Sequence, residues 1–274
     1  ITAVIIYVLF VFWIGPYIMS KYEKGFNLTY SLAAWNLSLS LFSWWGVTRT
    51  VPFILYRIFN ETFEDTVCKA GVNTYAHGTT GFATVMFILS KIPELGDTIF
   101  LVVKKKPVIF LHWYHHITVL LFCWNSYVTE SSCGLYFVAM NYTVHALMYF
   151  YFFLMAIKSV PKWFPPVILT FFQISQMFVG VGVVSAAIYY HYYSNKIYKY
   201  KLGTQRCSND PSNMIAGCLM YSSYLYLFIE FALKRFVFND KTKVVFDAYW
   251  KHFIENVEKL RSPRGSEVDL KKLQ

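Results

Sequence analysis

His112, His115 and His116 lie in one apolar run, and spacings of three and four put all three imidazoles on one face of a helix. Burying an ionisable group in an apolar helix is costly and marks catalysis or transport when it recurs. A single such histidine reads as a packing or hydrogen-bonding residue, which is the reading for His77, His191 and His252 taken singly. Three on one stripe read as a site. The next run carries Asn141, His145, Met148, Tyr149 and Phe152, spaced to share one helical face. Upstream, Lys91, Glu94 and Thr98 line one side of a helix with Asp97 beside them, and Thr170, Gln173 and Gln176 recur at steps of three downstream. Four helices thus turn polar stripes toward a common interior, which predicts an enclosed cavity.

Several chemistries fit these groups. A neutral imidazole can attack a thioester or serve as a base, while amide, phenol and ammonium groups hold an oxyanion or enolate. Lys91 and Glu94 either neutralise each other as a structural pair, or Lys91 meets a thioester, carboxylate or phosphate while Glu94 and Asp97 orient imidazoles. A histidine-bound metal in a membrane oxidase or hydrolase is a rival. His112, His115, His116 and His145 are too few nitrogen ligands for a di-iron centre, and a single zinc stays open. A seven-helix receptor or transporter would also bury polar groups, yet gives no reason for three histidines on one stripe.

The elements that must position these residues follow from composition. Hydrophobic residues make up 56% of the 274, aromatics 20% and charged residues only 15%, which a soluble core does not explain. Seven stretches, 1–20, 28–48, 70–90, 107–129, 131–157, 163–195 and 207–229, are almost free of Lys, Arg, Asp and Glu. Each reaches the ~20 residues that cross a bilayer as a helix. The expected fold is an all-α membrane protein of seven transmembrane helices, with one domain over 1–238 and a basic tail over 239–274. Gly71 and Asn73 predict that the third helix enters late and runs on to about Val103, with Lys91, Glu94 and Asp97 at membrane depth. The chain opens on Ile1 rather than Met, which reads as a trimmed start. Its first run lacks a basic beginning and precedes six more, so it reads as a transmembrane helix and not a signal peptide.

Lysine and arginine set the expected orientation. Lys21, Lys24, Lys104, Lys105, Lys106, Lys158, Lys162 and the tail from Lys234 fall on one side, which the positive-inside rule makes cytosolic, C-terminus included. The net charge of +10 then serves anionic lipid heads and phosphorylated ligands rather than nucleic acid. Cys68 and Cys207 fall in two loops on the opposite side, where an oxidising lumen makes them a candidate disulfide. The other cysteines, Cys123, Cys133 and Cys218, read as small core residues. Lys271 and Lys272 resemble a dilysine signal retrieving membrane proteins to the endoplasmic reticulum.

The ordered motifs carry a family resemblance. Lys91-Ile-Pro-Glu94-Leu-Gly-Asp97-Thr98 resembles the KxxExxDT motif of very-long-chain fatty acid elongases, and His112-Trp-Tyr-His115-His116 their HxxHH box. Asn141 to Tyr151 matches NxxxHxxMYxYY up to its last position, where Phe152 replaces Tyr, and Thr170 to Gln176 is similar to TxxQxxQ. The resemblance implies six of the seven helices closed as a barrel around a narrow tunnel. It implies condensation of a fatty acyl-CoA with malonyl-CoA to 3-oxoacyl-CoA, carbon dioxide and CoA, with no cofactor and no metal. By position, His115 is the nucleophile, His145 faces it, and His112, His116, Asp97 and Glu94 assist. Lys91, Asn141, Tyr149, Gln173 and Gln176 position substrate. Lys104, Lys105, Lys106, Lys158, Lys234 and Arg235 are candidates for the CoA phosphates. Trp113 and the Leu-Gly pair resemble the branch acting on saturated and monounsaturated chains. Reductases and a dehydratase complete such a cycle, and a homodimer is a further expectation.

Overall fold

In lipid every backbone amide must be satisfied within its own segment, so apolar runs of this length fold as helices. The computed structural model describes residues 1–161, 163–202 and 207–238, and all regular structure among them is helical. Lys162 and the tail 239–274, with its Lys271 and Lys272, lie outside the described residues.

The first helical unit is α1 (Thr2–Leu9), a π turn (Phe10–Ile14) and α2 (Gly15–Ser20). Then come α3 (Thr29–Asn60), the short α4 (Phe63–Cys68), α5 (Gly78–Ser90) and α6 (Gly96–Val103). The long helices α7 (Phe110–Val128), α8 (Gly134–Ala156), α9 (Pro166–Leu202) and α10 (Pro211–Ala232) complete the fold, α10 running into a π turn at Leu233–Val237. Among the described residues four helices are long and apolar enough to cross a membrane: Thr2–Ser20, Gly134–Ala156, Pro166–Ser194 and Pro211–Val237. The 32-residue α3 is not among them, since Asn36, Ser38, Ser40, Ser43, Arg49 and Thr50 dilute it.

The third expected helix enters late, as Gly71 and Asn73 suggest. A 3₁₀ turn occupies Gly71–Asn73, and α5 begins only at Gly78, whose φ of 62° suits glycine. It is also broken. Pro93 donates no amide hydrogen and its ring clashes with the carbonyl four residues back, so a 3₁₀ turn at Pro93–Leu95 separates α5 from α6. The break places Lys91 and Glu94 at a helix junction inside the protein.

Side-chain bonds fix the direction of packing. The Ser40 hydroxyl donates to the Ala146 carbonyl at 2.9 Å, and six residues further along α3 Gly46 meets Tyr142, so α3 and α8 run antiparallel. Gly46 lets the Tyr142 ring lie directly on α3, where any Cβ would collide with it. Likewise Tyr114 with Ser223 (3.0 Å) and Ser126 with Asn213 (3.0 Å) make α7 and α10 antiparallel.

It follows that the ends of α6, α8 and α10 share one end of the bundle. Lys104, Lys105, Lys106, Lys158, Lys234 and Arg235 all sit there. Lys105 and Lys158 hold left-handed backbone (φ 52° and 57°) that terminates α6 and α8. At the other end the Cys68–Cys207 disulfide joins α4 to the start of α10 across 139 residues of chain. Asn209 seals that junction, its amide donating to the Val67 carbonyl at 2.6 Å and accepting from the Ser132 amide at 3.1 Å.

Candidate active site

The polar stripes meet near the basic end. Lys91 (2% exposed) directs its ammonium onto both oxygens of Glu94, at 2.7 and 2.9 Å, and onto the Asn141 Oδ1 at 3.2 Å. The Ser90 hydroxyl adds a bond to Glu94 at 2.8 Å, and the Lys91 ammonium lies 4.0 Å from the centre of the Phe87 ring. The buried pair is thus hydrogen-bonded to Ser90 and Asn141 as well as to each other, the condition under which such a pair is tolerated.

This arrangement decides the tautomer of His145. Lysine has no acceptor, so Asn141 presents its oxygen to Lys91 and its NH₂ to His145 Nε2, 3.2 Å away. A neutral His145 therefore carries its proton on Nδ1 and keeps the Nε2 lone pair. Nδ1 in turn faces Glu94 Oε2 at 3.9 Å, an electrostatic contact longer than a hydrogen bond.

Asp97 is held from two sides. Trp35 Nε1 donates to Oδ1 at 2.6 Å and the Tyr149 hydroxyl to Oδ2 at 2.7 Å. Gly96 makes room for that indole, since a Cβ there would lie 3.0 Å from Trp35. The next residue, Thr98, is fully buried and bonds His112 Nε2 at 2.9 Å.

On α7 the imidazoles pack against each other, His112 to His116 at 4.5 Å and His115 to His116 at 5.6 Å between ring centres. His115 is within electrostatic reach of His145, Lys91 and Glu94. Its other side is closed by α10, where the Tyr224 ring sits 5.1 Å away and the Tyr224 hydroxyl donates to the His115 carbonyl at 3.2 Å. Among the described residues, no group of three His, Cys, Asp or Glu side chains is arranged to share one metal ion.

A narrow cavity of about 50 Å³ starts beside Asn141 and extends toward the disulfide end. Phe87, Val119, Phe122, Phe137 and Tyr221 line it, and it reaches Tyr75, Ser126 and Gly134. It is predominantly apolar and lies behind the histidines as seen from the basic end.

Lys91, Glu94, Asp97, His112, His115, His116, Asn141, His145 and Tyr149 are therefore neighbours. Gln173 is not bonded to them and donates to Met148 Sδ at 3.4 Å, one residue from Tyr149. Gln176 is buried on α9 without a bond to the histidines. Phe152 lies on the outer face of α8, 39% exposed, so the hydroxyl missing from the motif is remote from the site. Among the basic candidates, Lys105 is committed to the Tyr22 carbonyl, and Lys234 to Glu230. Arg235 lies over Phe231 and Phe236, while Lys106 and Lys158 are exposed. The sequence reading missed Trp35, Tyr224, Ser90 and Tyr7, because an aromatic or hydroxyl residue in an apolar helix gives no signal beyond packing.

Outside the apolar helices Glu61 and Asp210 both titrate below the usual carboxylate range. The Arg57 guanidinium bonds both oxygens of Glu61, at 3.1 and 3.0 Å, and holds its carboxyl below the usual range.

The fold and the buried site together define an all-helical, multi-pass membrane protein with a histidine-rich polar centre on an apolar cavity. The chain belongs to the ELO family, described as GNS1/SUR4, which matches residues 1–244. It is 38% identical to "Fatty acid elongase 3" of Trypanosoma brucei brucei over 257 residues, 85% of this chain and 82% of that one. It is 39% identical to "Very long chain fatty acid elongase 6" of Gallus gallus over 233 residues, again 85% and 82%. The Drosophila melanogaster protein of the same name is 38% identical over 234 residues, 85% of this chain and 70% of its own.

Proposed function

We propose that this protein is the condensing enzyme of fatty acid elongation, joining a saturated or monounsaturated long-chain acyl-CoA to malonyl-CoA. The observation that carries this reading is that an apolar cavity begins at Val119 and Asn141, one helical turn from His115 and His145 on the side away from the basic end. A CoA thioester has a phosphorylated head, a reactive carbonyl and an apolar chain. Here a basic rim, a histidine centre and an apolar channel follow one another along one axis.

In the first half-reaction a nitrogen of His115 attacks the thioester carbon, the C–S bond breaks, and the thiolate of CoA takes up a proton to leave as the thiol. In the second, malonyl-CoA loses carbon dioxide, and the electron pair of the broken C–C bond forms an enolate. That enolate attacks the acyl-imidazole, the C–N bond breaks, and 3-oxoacyl-CoA is released. One proton is consumed overall. Malonate decarboxylation makes a carbanion that water would quench, so a site sealed within helices suits the step. Lys91, Asn141 and Tyr149 hold the thioester and malonyl groups, Glu94 faces His145, Asp97 holds Tyr149 in place, and Gln173 and Gln176 border the chain. At about 50 Å³ the cavity admits a long chain only as rings along it, such as Phe122 and Tyr221, turn aside.

The reading places seven helices across the endoplasmic reticulum membrane, six of them around the channel, with the basic end and C-terminus cytosolic and the disulfide in the lumen. No cofactor beyond the two CoA thioesters takes part. The 3-oxo product passes to a reductase, a dehydratase and an enoyl reductase. The test is mass spectrometry of the purified protein after mixing with palmitoyl-CoA, together with labelled malonyl-CoA turnover, in wild type and His115→Ala. An acyl adduct on His115 with 3-oxoacyl-CoA from wild type alone is expected. Turnover without an adduct keeps the condensing enzyme and makes His115 a base or oxyanion donor. No condensation with any acyl-CoA overturns the reading.

A further inference from the structure

The first helical unit lies outside every motif, yet it touches the histidine box. The Tyr7 hydroxyl bonds Thr98 Oγ1 at 2.8 Å, and the same oxygen bonds His112 Nε2 at 2.9 Å. Tyr7 is buried, and its ring lies 6.3 Å from that of His116. Phe12 meets Trp113 of the box edge-on at 5.4 Å.

How this helix reaches the site follows from its register. Tyr7, Val11, Gly15 and Met19 are its buried residues, at a constant step of four. A step of four overshoots the 3.6 residues of an α turn, so a regular helix would rotate these residues progressively off one face. The wider π turn at Phe10–Ile14 restores the register. At Gly15 the backbone comes so close to α6 that a Cβ would lie 2.7 Å from Val102 Cγ1. Val102 is one turn beyond Thr98, so the contact that docks the helix also sets Tyr7 on Thr98.

The hydroxyl of Thr98 has one proton and two partners. Accepting from both would leave that proton without an acceptor in a fully buried position, so it donates to one and accepts from the other. Tyr7 has no other hydrogen-bond partner among the described residues, and a buried phenol needs an acceptor. Tyr7 therefore donates, Thr98 accepts and passes its own proton to His112 Nε2, and the neutral imidazole holds its hydrogen on Nδ1.

We infer that Tyr7 is a positioning residue of the active site, fixing the tautomer and ring orientation of His112 through Thr98. It rests on the condensing-enzyme reading only for its effect on rate. The bland account is that Tyr7 merely anchors the first helix, and the experiment separates the two.

Tyr7→Phe, Thr98→Val and the double variant are prepared in the full chain. For each, kcat and KM for condensation and the thermal unfolding midpoint are measured, and ¹⁵N spectra of histidine-labelled protein report the tautomers, with His112→Asn assigning the signal. Tyr7→Phe is expected to lower kcat roughly 10-fold with KM and the midpoint unchanged, the order of effect of losing a histidine's hydrogen-bond partner. The His112 signal should change from one tautomer to a mixture, and the double variant should be no slower than Thr98→Val. An unchanged His112 tautomer in Tyr7→Phe, or a loss of kcat matched by a fall in the midpoint, overturns the inference. If wild type condenses no acyl-CoA, the functional reading fails, and the ¹⁵N spectra still decide whether Tyr7 sets His112.

Discussion

The Lys91 ammonium donates to the Asn141 amide oxygen at 3.2 Å, and a lysine can meet only that end of an amide. The amide NH₂ is thereby turned to His145, whose Nε2 must accept. A residue of the first motif thus sets the protonation pattern of a residue in the third. Asn141→Asp tests this, because a carboxylate still satisfies Lys91 but has no hydrogen to offer His145. Condensation should fall by about 100-fold or more, the scale of losing one donor at a reacting centre, while the protein remains folded by circular dichroism. Activity within a few-fold of wild type would remove Asn141 from the site.

Lys91 and Glu94 form a pair in which each makes the other tolerable. Lys91→Met leaves Glu94 buried without its cation, which typically costs about 3–5 kcal/mol. Adding Glu94→Gln removes the uncompensated charge. The single variant should unfold earlier than wild type in a denaturant titration, and the double variant should recover most of the loss without recovering activity. Recovery of both would make the pair structural.

Glu61 gives a pH dependence with a definite sign. Arg57 lowers its carboxyl in the folded chain relative to the unfolded one, so the contribution to stability is complete above the unfolded value of about 4.3. It is lost as pH falls through the folded value. Unfolding midpoints of wild type should therefore drop on acidification below about pH 4.3 more steeply than those of Glu61→Gln. Parallel curves would show that the pair does not operate in solution.

The Cys68–Cys207 disulfide closes a long loop, with 139 residues separating its ends. In the chain-entropy account a loop of that order contributes up to about 5 kcal/mol. Cys68→Ser with Cys207→Ser should lower the unfolding midpoint and abolish the difference in gel mobility between reduced and unreduced protein. If wild type itself shows no reduction-dependent shift, the bridge is not formed in the cell.

How far the sequence announces this site depends on the residue type. Lys91, Glu94, His112, His115, His116 and His145 stand out because ionisable groups are rare in apolar runs. Helical spacing then predicts which face they share. The break at Pro93 is equally legible in principle, because proline removes an amide donor, yet the third helix reads as one element on to about Val103. Gln173 shows what spacing leaves open, since it fits a polar stripe while its amide bonds Met148 Sδ at 3.4 Å rather than a histidine. Spacing specifies a face, and only the direction and depth of packing decide what the face meets. Trp35, Tyr7 and Tyr224 cannot be singled out by any such rule, because indoles and phenols are ordinary filling in a chain this aromatic.

Trp35 is the sharpest case, because the carboxylate it serves has two side-chain donors among the described residues. Asp97 accepts from Trp35 at 2.6 Å and from Tyr149 at 2.7 Å, one bond to each oxygen. Removing either donor leaves the other in place, whereas removing both leaves a half-buried carboxylate with no donor among these groups. A hydrogen bond to a charged group contributes about 1.5–3 kcal/mol, and an unsatisfied buried one costs more. Trp35→Phe and Tyr149→Phe should each lower stability by amounts in that range, and the double variant should lose more than their sum. The same cycle run on kcat shows whether Asp97 also governs the chemistry. Strict additivity in both quantities would mean that the two bonds act independently of their shared carboxylate, and would return Trp35 to the role of packing.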